Sequence, residues 1–195
     1  MTTAENSNEA PIKAFASAEA WAKWLATNHA HSAGIWLRIF NKESGEKTVT
    51  YAQALDEALC YGWIDGQKKK LDAGSWLQKF TPRSPRSIWS KRNIEHIERL
   101  TKENRMQPAG LAAFEEAKKD GRLAAAYDAP STATVPDDLL LLLEKNKKAK
   151  AFFDSLNKAN KYAITWRLQT AKKPETREKR LRLILGMLER GEKFH

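Results

Sequence analysis

The sequence predicts an α+β protein: a small antiparallel β-sheet with flanking helices, followed by a helical C-terminal segment. Three observations predict it. Residues 35–40 alternate with a period of two, and two further short runs, 63–71 and 75–81, flank the turn-forming Asp72-Ala73-Gly74. Helical spacing governs most of the remainder, and beyond Glu103 no stretch reads as a strand. The chain has 195 residues, 42% of them hydrophobic, enough for a core without disulfides or metals. Its longest unbroken apolar run, Leu139 to Leu143, is far shorter than the ~20 residues a membrane span needs.

Taken in order, residues 1–14 read as a disordered leader. Ser17 caps a helix running to Asn28 with Trp21, Trp24 and Leu25 on one face. Gly34 ends that segment and opens the 35–40 strand, in which Ile35, Leu37 and Ile39 share one side. Thr50 and Gln53 form a capping box ahead of a short helix that ends near Cys60 and Gly62. After the hairpin, Pro82 and Pro85 bracket a stiff loop, and Ser87 or Ser90 starts a helix to about Glu103. Pro108 to Asp120 is a helix stopped by Gly121. Pro136 opens another, with Asp137 and Asp138 at its positive end, and helices over 149–156 and 158–171 follow. The last helix starts at Pro174, carries the stripe Leu181, Ile184, Leu185 and Leu188, and closes at Gly191. This divides the chain into an α+β domain over 15–126, a linker over 127–135 and a helical region over 136–195, either packed as one unit with the first or separate from it.

Thirty-four Lys and Arg against 24 Asp and Glu give a net charge of +10. The excess sits in two windows: residues 82–105 hold seven bases and three acids, and 144–195 hold fifteen and six. Such windows attract phosphates, nucleic acid, anionic head groups or acidic protein, and equally serve solubility. Cys60 is the only cysteine, which excludes an intrachain disulfide. The first residues carry Glu5 and Glu9 with no basic cluster and no apolar stretch, so the expected location is the cytoplasm.

The stretches ALCYGWIDGQKKKLD, FTPRSPRSIWSKRN and RMQPAG, within residues 58–111, resemble the YdeI/OmpD-associated family, also described as bacteriocin-protection proteins. AKKPETREKRL, at 171–181, is similar to that family's closing helix, and Gly34-Ile35-Trp36-Leu37 and Thr50-Tyr51 fit as well. The resemblance implies a non-enzymatic stress or antimicrobial-protection role and no established catalytic chemistry. The family's porin association implies a periplasmic setting, from which a chain without an export signal departs.

Between Thr81 and Asn93, Arg83 and Arg86 stand three apart in the proline-stiffened loop, and Ser84, Ser87 and Ser90 offer hydroxyl donors. Guanidinium forks beside a helix N-terminus make an oxyanion receptor above which Trp89 could stack a ring. The expected anion or partner site therefore comprises Asp65, Lys68, Arg83, Arg86, Ser87, Trp89, Ser90 and Asn93. The competing arrangement pairs Arg83 or Arg86 with Asp65 or Asp72, uses the serines as caps and buries Trp89 in the core. Lys172, Lys173, Arg177 and Arg180 form a second basic patch, suited to non-specific nucleic-acid binding. An enzyme acting on a small anionic compound at the hairpin is a third reading. Cys60, at a helix C-terminus, is not expected to be an activated nucleophile, and no pattern assigns His96 a catalytic partner. His29 and His31 lack a third ligand at metal spacing, and no P-loop, G-x-G-x-x-G, G-x-S-x-G, H-E-x-x-H or C-x-x-C occurs, so neither a metal nor a cofactor is implied.

Overall fold

The computed structural model describes residues 10–194. It contains a four-stranded sheet with flanking helices and a helical C-terminal part, an α+β fold. The chain divides into two compact units. Unit 1 holds residues up to Ile88 together with Asn93–Leu123; unit 2 holds Trp89–Arg92 and everything from Ala124 onward.

In unit 1 the strands β1 (Ile12–Ala14), β2 (Ile35–Phe40), β3 (Trp63–Lys70) and β4 (Ser75–Pro82) stand in the order β1-β2-β4-β3. The two long pairings are antiparallel, as expected. β1 runs parallel to β2, so the sheet is mixed, and residues 12–14 of the expected leader are a strand; residues 1–9 lie outside the described residues. The hairpin turn closes where Asp72 Oδ1 accepts from Gly74 N at 2.9 Å and Asp72 N donates to Ser75 O at 3.2 Å.

Two helices, α1 (Ala18–Asn28) and α2 (Tyr51–Cys60), cover one sheet face. Ser17 accepts from Ala20 N, and Thr50 and Gln53 make the full capping box. The core beneath is aromatic: Trp21 lies 5.7 Å from Phe80 and 6.3 Å from Trp63, centroid to centroid, with Ile35, Leu37, Leu55 and Leu59 buried around them. Helix α3 (Lys91–Lys102) is tied to α2 by Asp56, which hydrogen-bonds His96 Nδ1 at 2.8 Å and accepts from Arg99 Nη2 at 2.7 Å on both oxygens. Helix α4 (Pro108–Lys119) crosses the end of α2, where Gly110 meets the backbone of Leu59 and Cys60.

Unit 2 contains α5 (Asp137–Lys145), α6 (Lys147–Ser155), α7 (Lys158–Gln169) and α8 (Pro174–Glu189). Helix α8 packs on the other three, and Leu139, Leu143, Phe153, Ile164, Leu168, Ile184 and Leu188 form the core. Of the expected stripe, Ile184 and Leu188 are fully buried, while Leu181 and Leu185 pack half-buried at its margin. No helix among the described residues is long and apolar enough to cross a membrane.

Candidate functional site

The residues expected to form a receptor at 81–93 have individual surroundings in the structure. They divide between the units, Arg83, Arg86, Ser87 and Asn93 falling in unit 1, Trp89 and Ser90 in unit 2. Arg83 turns onto its own loop: Nη1 donates to Ile88 O at 3.4 Å, and Nε and Nη2 are shielded from solvent. Arg86 is exposed and Asn93 half-buried. Ser87 is held in a local turn, its Oγ accepting from Ser84 N at 3.0 Å. Trp89 is 1% exposed, a core residue with no face for a ligand, and Ser90 is buried in a bridge to Tyr127. The hairpin acids have partners of their own among the described residues. Asp65 accepts from Tyr51 OH at 2.8 Å, and Asp72 pairs with Arg38 at 2.8 Å. Lys68 lies with its ammonium 4.1 Å from the centroid of the Trp76 ring.

The second basic patch is half structural. Arg177 forks onto both oxygens of Asp138 at 2.7 and 2.9 Å and gives its third bond to Leu168 O at 2.8 Å. Arg180 donates to Arg167 O and to Thr170 Oγ1, satisfying the end of α7. Only Lys172 and Lys173 of the four are exposed. Hydrogen bonding from Arg177, against the opposing effect of burial, holds Asp138 below the usual carboxylate range.

Helix α7 builds a site that the sequence reading did not identify. Asn157 caps it, accepting from Asn160 N at 2.9 Å, and Ile164 and Leu168 anchor one side in the core of unit 2. On the other side Ala159, Tyr162, Ala163, Trp166 and Arg167 recur at helical spacing and, with Tyr127, line a groove of about 560 Å³. Two adjoining depressions, of about 370 and 280 Å³, share Tyr162 with it and add Pro130, Lys158 and Lys161. The two alanines leave the floor low between the rings. Tyr127 and Trp166 meet edge to face, centroids 6.0 Å apart at 85°.

Asp128 fixes this wall. Its carboxylate takes Lys91 Nζ at 2.7 Å and Gln169 Nε2 at 2.6 Å, while its carbonyl accepts from Tyr162 OH at 3.1 Å. The hydrogen bond from Lys91 lowers the Asp128 pKa, and burial raises that of Tyr162, so the first stays ionised and the second stays a phenol. The lining then presents three rings, the guanidinium of Arg167 stacked 4.5 Å from the Phe194 centroid, and the ammonium groups of Lys158 and Lys161, with no acidic lining residue. Cavities of a few hundred Å³ with ring walls and a few charged groups suit a ring-bearing ligand of opposite charge.

Residues 13–113, a little over half of the chain, match the model of the family described as Domain of unknown function (DUF8412). The chain belongs to this family. Residues 132–191 match a second family model, described as Bacteriocin-protection, YdeI or OmpD-Associated, the family suspected from the sequence strings. Only the 171–181 string lies inside that second match; the strings at 58–111 fall in the DUF8412 part. The second match spans α5 to α8 and most of the groove lining, though not Tyr127 or Pro130. No curated protein and no solved structure matches the chain.

Sequence signals for the groove existed. Helix α7 carries apolar residues on both sides, Ile164 and Leu168 opposite Ala159, Tyr162 and Trp166, more than one core face requires. Asp56 was likewise invisible as the partner of His96, 40 residues away in sequence.

Proposed function

We propose that this protein serves in a bacteriocin-protection-type role by non-covalent capture, its α7 groove taking an anionic ligand that carries a planar ring. One observation carries the reading. Within unit 2, much of it matched by the bacteriocin-protection family model, Tyr127, Tyr162 and Trp166 line a cavity of about 560 Å³ whose charged lining residue is Arg167, with Lys158 and Lys161 at its extension. Ring stacking supplies affinity, and the guanidinium fork selects a carboxylate, sulfonate or phosphate. A cationic peptide would meet like charge at this rim. The 81–93 loop contributes no ligand contact in this reading, because Arg83 is turned inward and Trp89 is core.

The test uses 8-anilinonaphthalene-1-sulfonate (ANS) and its uncharged analogue N-phenyl-1-naphthylamine as probes. Saturable one-to-one binding of the sulfonate is expected, weaker by about tenfold in R167Q, the cost of a lost charged hydrogen bond of about 1.5 kcal/mol. R167Q should leave the neutral analogue unaffected, and K172A/K173A should leave both probes unaffected. Equal binding of the two probes, or an R167Q variant indistinguishable from wild type, refutes the site.

A further inference from the structure

The sheet face opposite the one that α1 and α2 pack on carries a different chemistry. By register, Trp36 and Phe40 of β2 share this face with Arg38, with Leu77 and Lys79 of β4, and with Lys69 of β3, whereas Ile35, Leu37, Ile39 and Phe80 point to the helices. Trp36 sits at the centre, 7% exposed, with the neighbouring Leu77 buried as well. Its ring is roofed by flexible side chains, Lys69 Nζ lying 4.5 Å and Lys79 Nζ 5.7 Å from the centroid. Arg38 lies over Phe40 in the same way at 4.4 Å, and is joined to Asp72 at 2.8 Å. Ile12, the β1 partner of Trp36, is 55% exposed, so the edge of this face is open to solvent.

Two rings four residues apart on one strand are separated by about 13 Å along the sheet, at ~3.3 Å per residue. The Trp36 ring lies under two ammonium groups on long stems, whereas Arg38, over Phe40, is held by Asp72 at 2.8 Å and by Ser75 Oγ at 2.9 Å. Those ammonium groups gain more from a phosphate than from a ring face, and moving them aside uncovers the ring. A chain with phosphates at regular intervals and flat, unpaired bases between them satisfies both halves of the arrangement. A duplex satisfies only the first, because its bases are stacked on each other. We propose that this face binds single-stranded nucleic acid without sequence preference, through phosphate contacts from Lys69, Lys79 and Arg38 and stacking on Trp36 and Phe40. It is separate from the α7 groove, which belongs to the other unit.

Fluorescence anisotropy of a labelled dT15 strand, titrated with the full chain at about 50 mM and about 200 mM salt, tests this. Wild type should bind at the lower salt. K69A/K79A should weaken binding at least tenfold there and reduce the slope of log K against log salt by about 1.4, at ~0.7 per lost phosphate contact on a single strand. K172A/K173A, with the same charge change in unit 2, should stay within threefold of wild type. An abasic strand of equal length should bind at least tenfold more weakly, since base stacking supplies part of the affinity. The proposal is overturned by no binding at the lower salt, by equal losses in the two double variants, or by abasic or duplex DNA binding as tightly as dT15.

Discussion

Gly110 decides between two opposite expectations for one methyl group. It lies inside α4, where replacing glycine by alanine ordinarily favours the helix by about 1 kcal/mol. A Cβ at this position, however, falls 2.2 Å from Cys60 O and 2.8 Å from both Cys60 C and Leu59 O, all backbone atoms at the end of α2. Ordinary contact begins near 3.4 Å, so α4 has to withdraw by roughly 1 Å. That withdrawal also stretches the bond from Gln107 N to Cys60 O, now 3.1 Å. Overpacking costs about 1–3 kcal/mol and the lost bond about 1 kcal/mol, which outweighs the propensity gain. G110A is therefore expected to be destabilised by about 1–3 kcal/mol in urea denaturation, with a lower midpoint and an unchanged slope. Gly121 provides the contrast: its φ of +79° strains alanine, but nothing lies within 4 Å, so G121A should cost only the left-handed penalty of about 1–2 kcal/mol. A G110A variant as stable as wild type would show that the α2–α4 contact is not tight and that this reasoning fails.

Other consequences are as direct. Asp138 is held below its ordinary pKa by Arg177, so its contribution is fully present above the unfolded value near pH 4 and fades as pH falls through the lower folded value; D138N should be less stable than wild type at neutral pH and should flatten the acid limb of a stability–pH curve. Burial, reinforced by Glu57, pushes the Cys60 thiol up to about 12, so native protein at pH 8 should leave a thiol reagent unreacted and unfolded protein should consume one equivalent. T50A removes the hydroxyl that accepts from Gln53 N at 3.3 Å and should lower stability by about 1 kcal/mol in thermal or denaturant unfolding.

Elements with strong local signals were legible in the sequence. The Ser17 cap, the Thr50–Gln53 box, the Asp72-Ala73-Gly74 turn and the Pro174 start of α8 all act within four residues, and each appears where the residues place it. Strand β1 had no such signal. Its residues are exposed and show no alternation; it exists because its backbone adds to the edge of β2, as in the bond from Trp36 N to Pro11 O at 2.9 Å. Tyr127 and Asp128, in the stretch expected to link two regions, are instead fastened to residues 89–91 and to Gln169 by contacts at long sequence separation. The surroundings of the candidate site residues were hidden for the same reason. Which guanidinium stays available depends on distant carbonyls and carboxylates: Arg83 finds Ile88 O, Arg177 finds Asp138, and Arg167 is left beside three rings.

A crystal structure of the protein with ANS bound is the most direct test of the α7 groove. The ring system should lie against Tyr127, Tyr162 and Trp166, with the sulfonate within hydrogen-bond reach of Arg167. Density for the probe at another surface, or none at saturating concentration, would contradict the assignment.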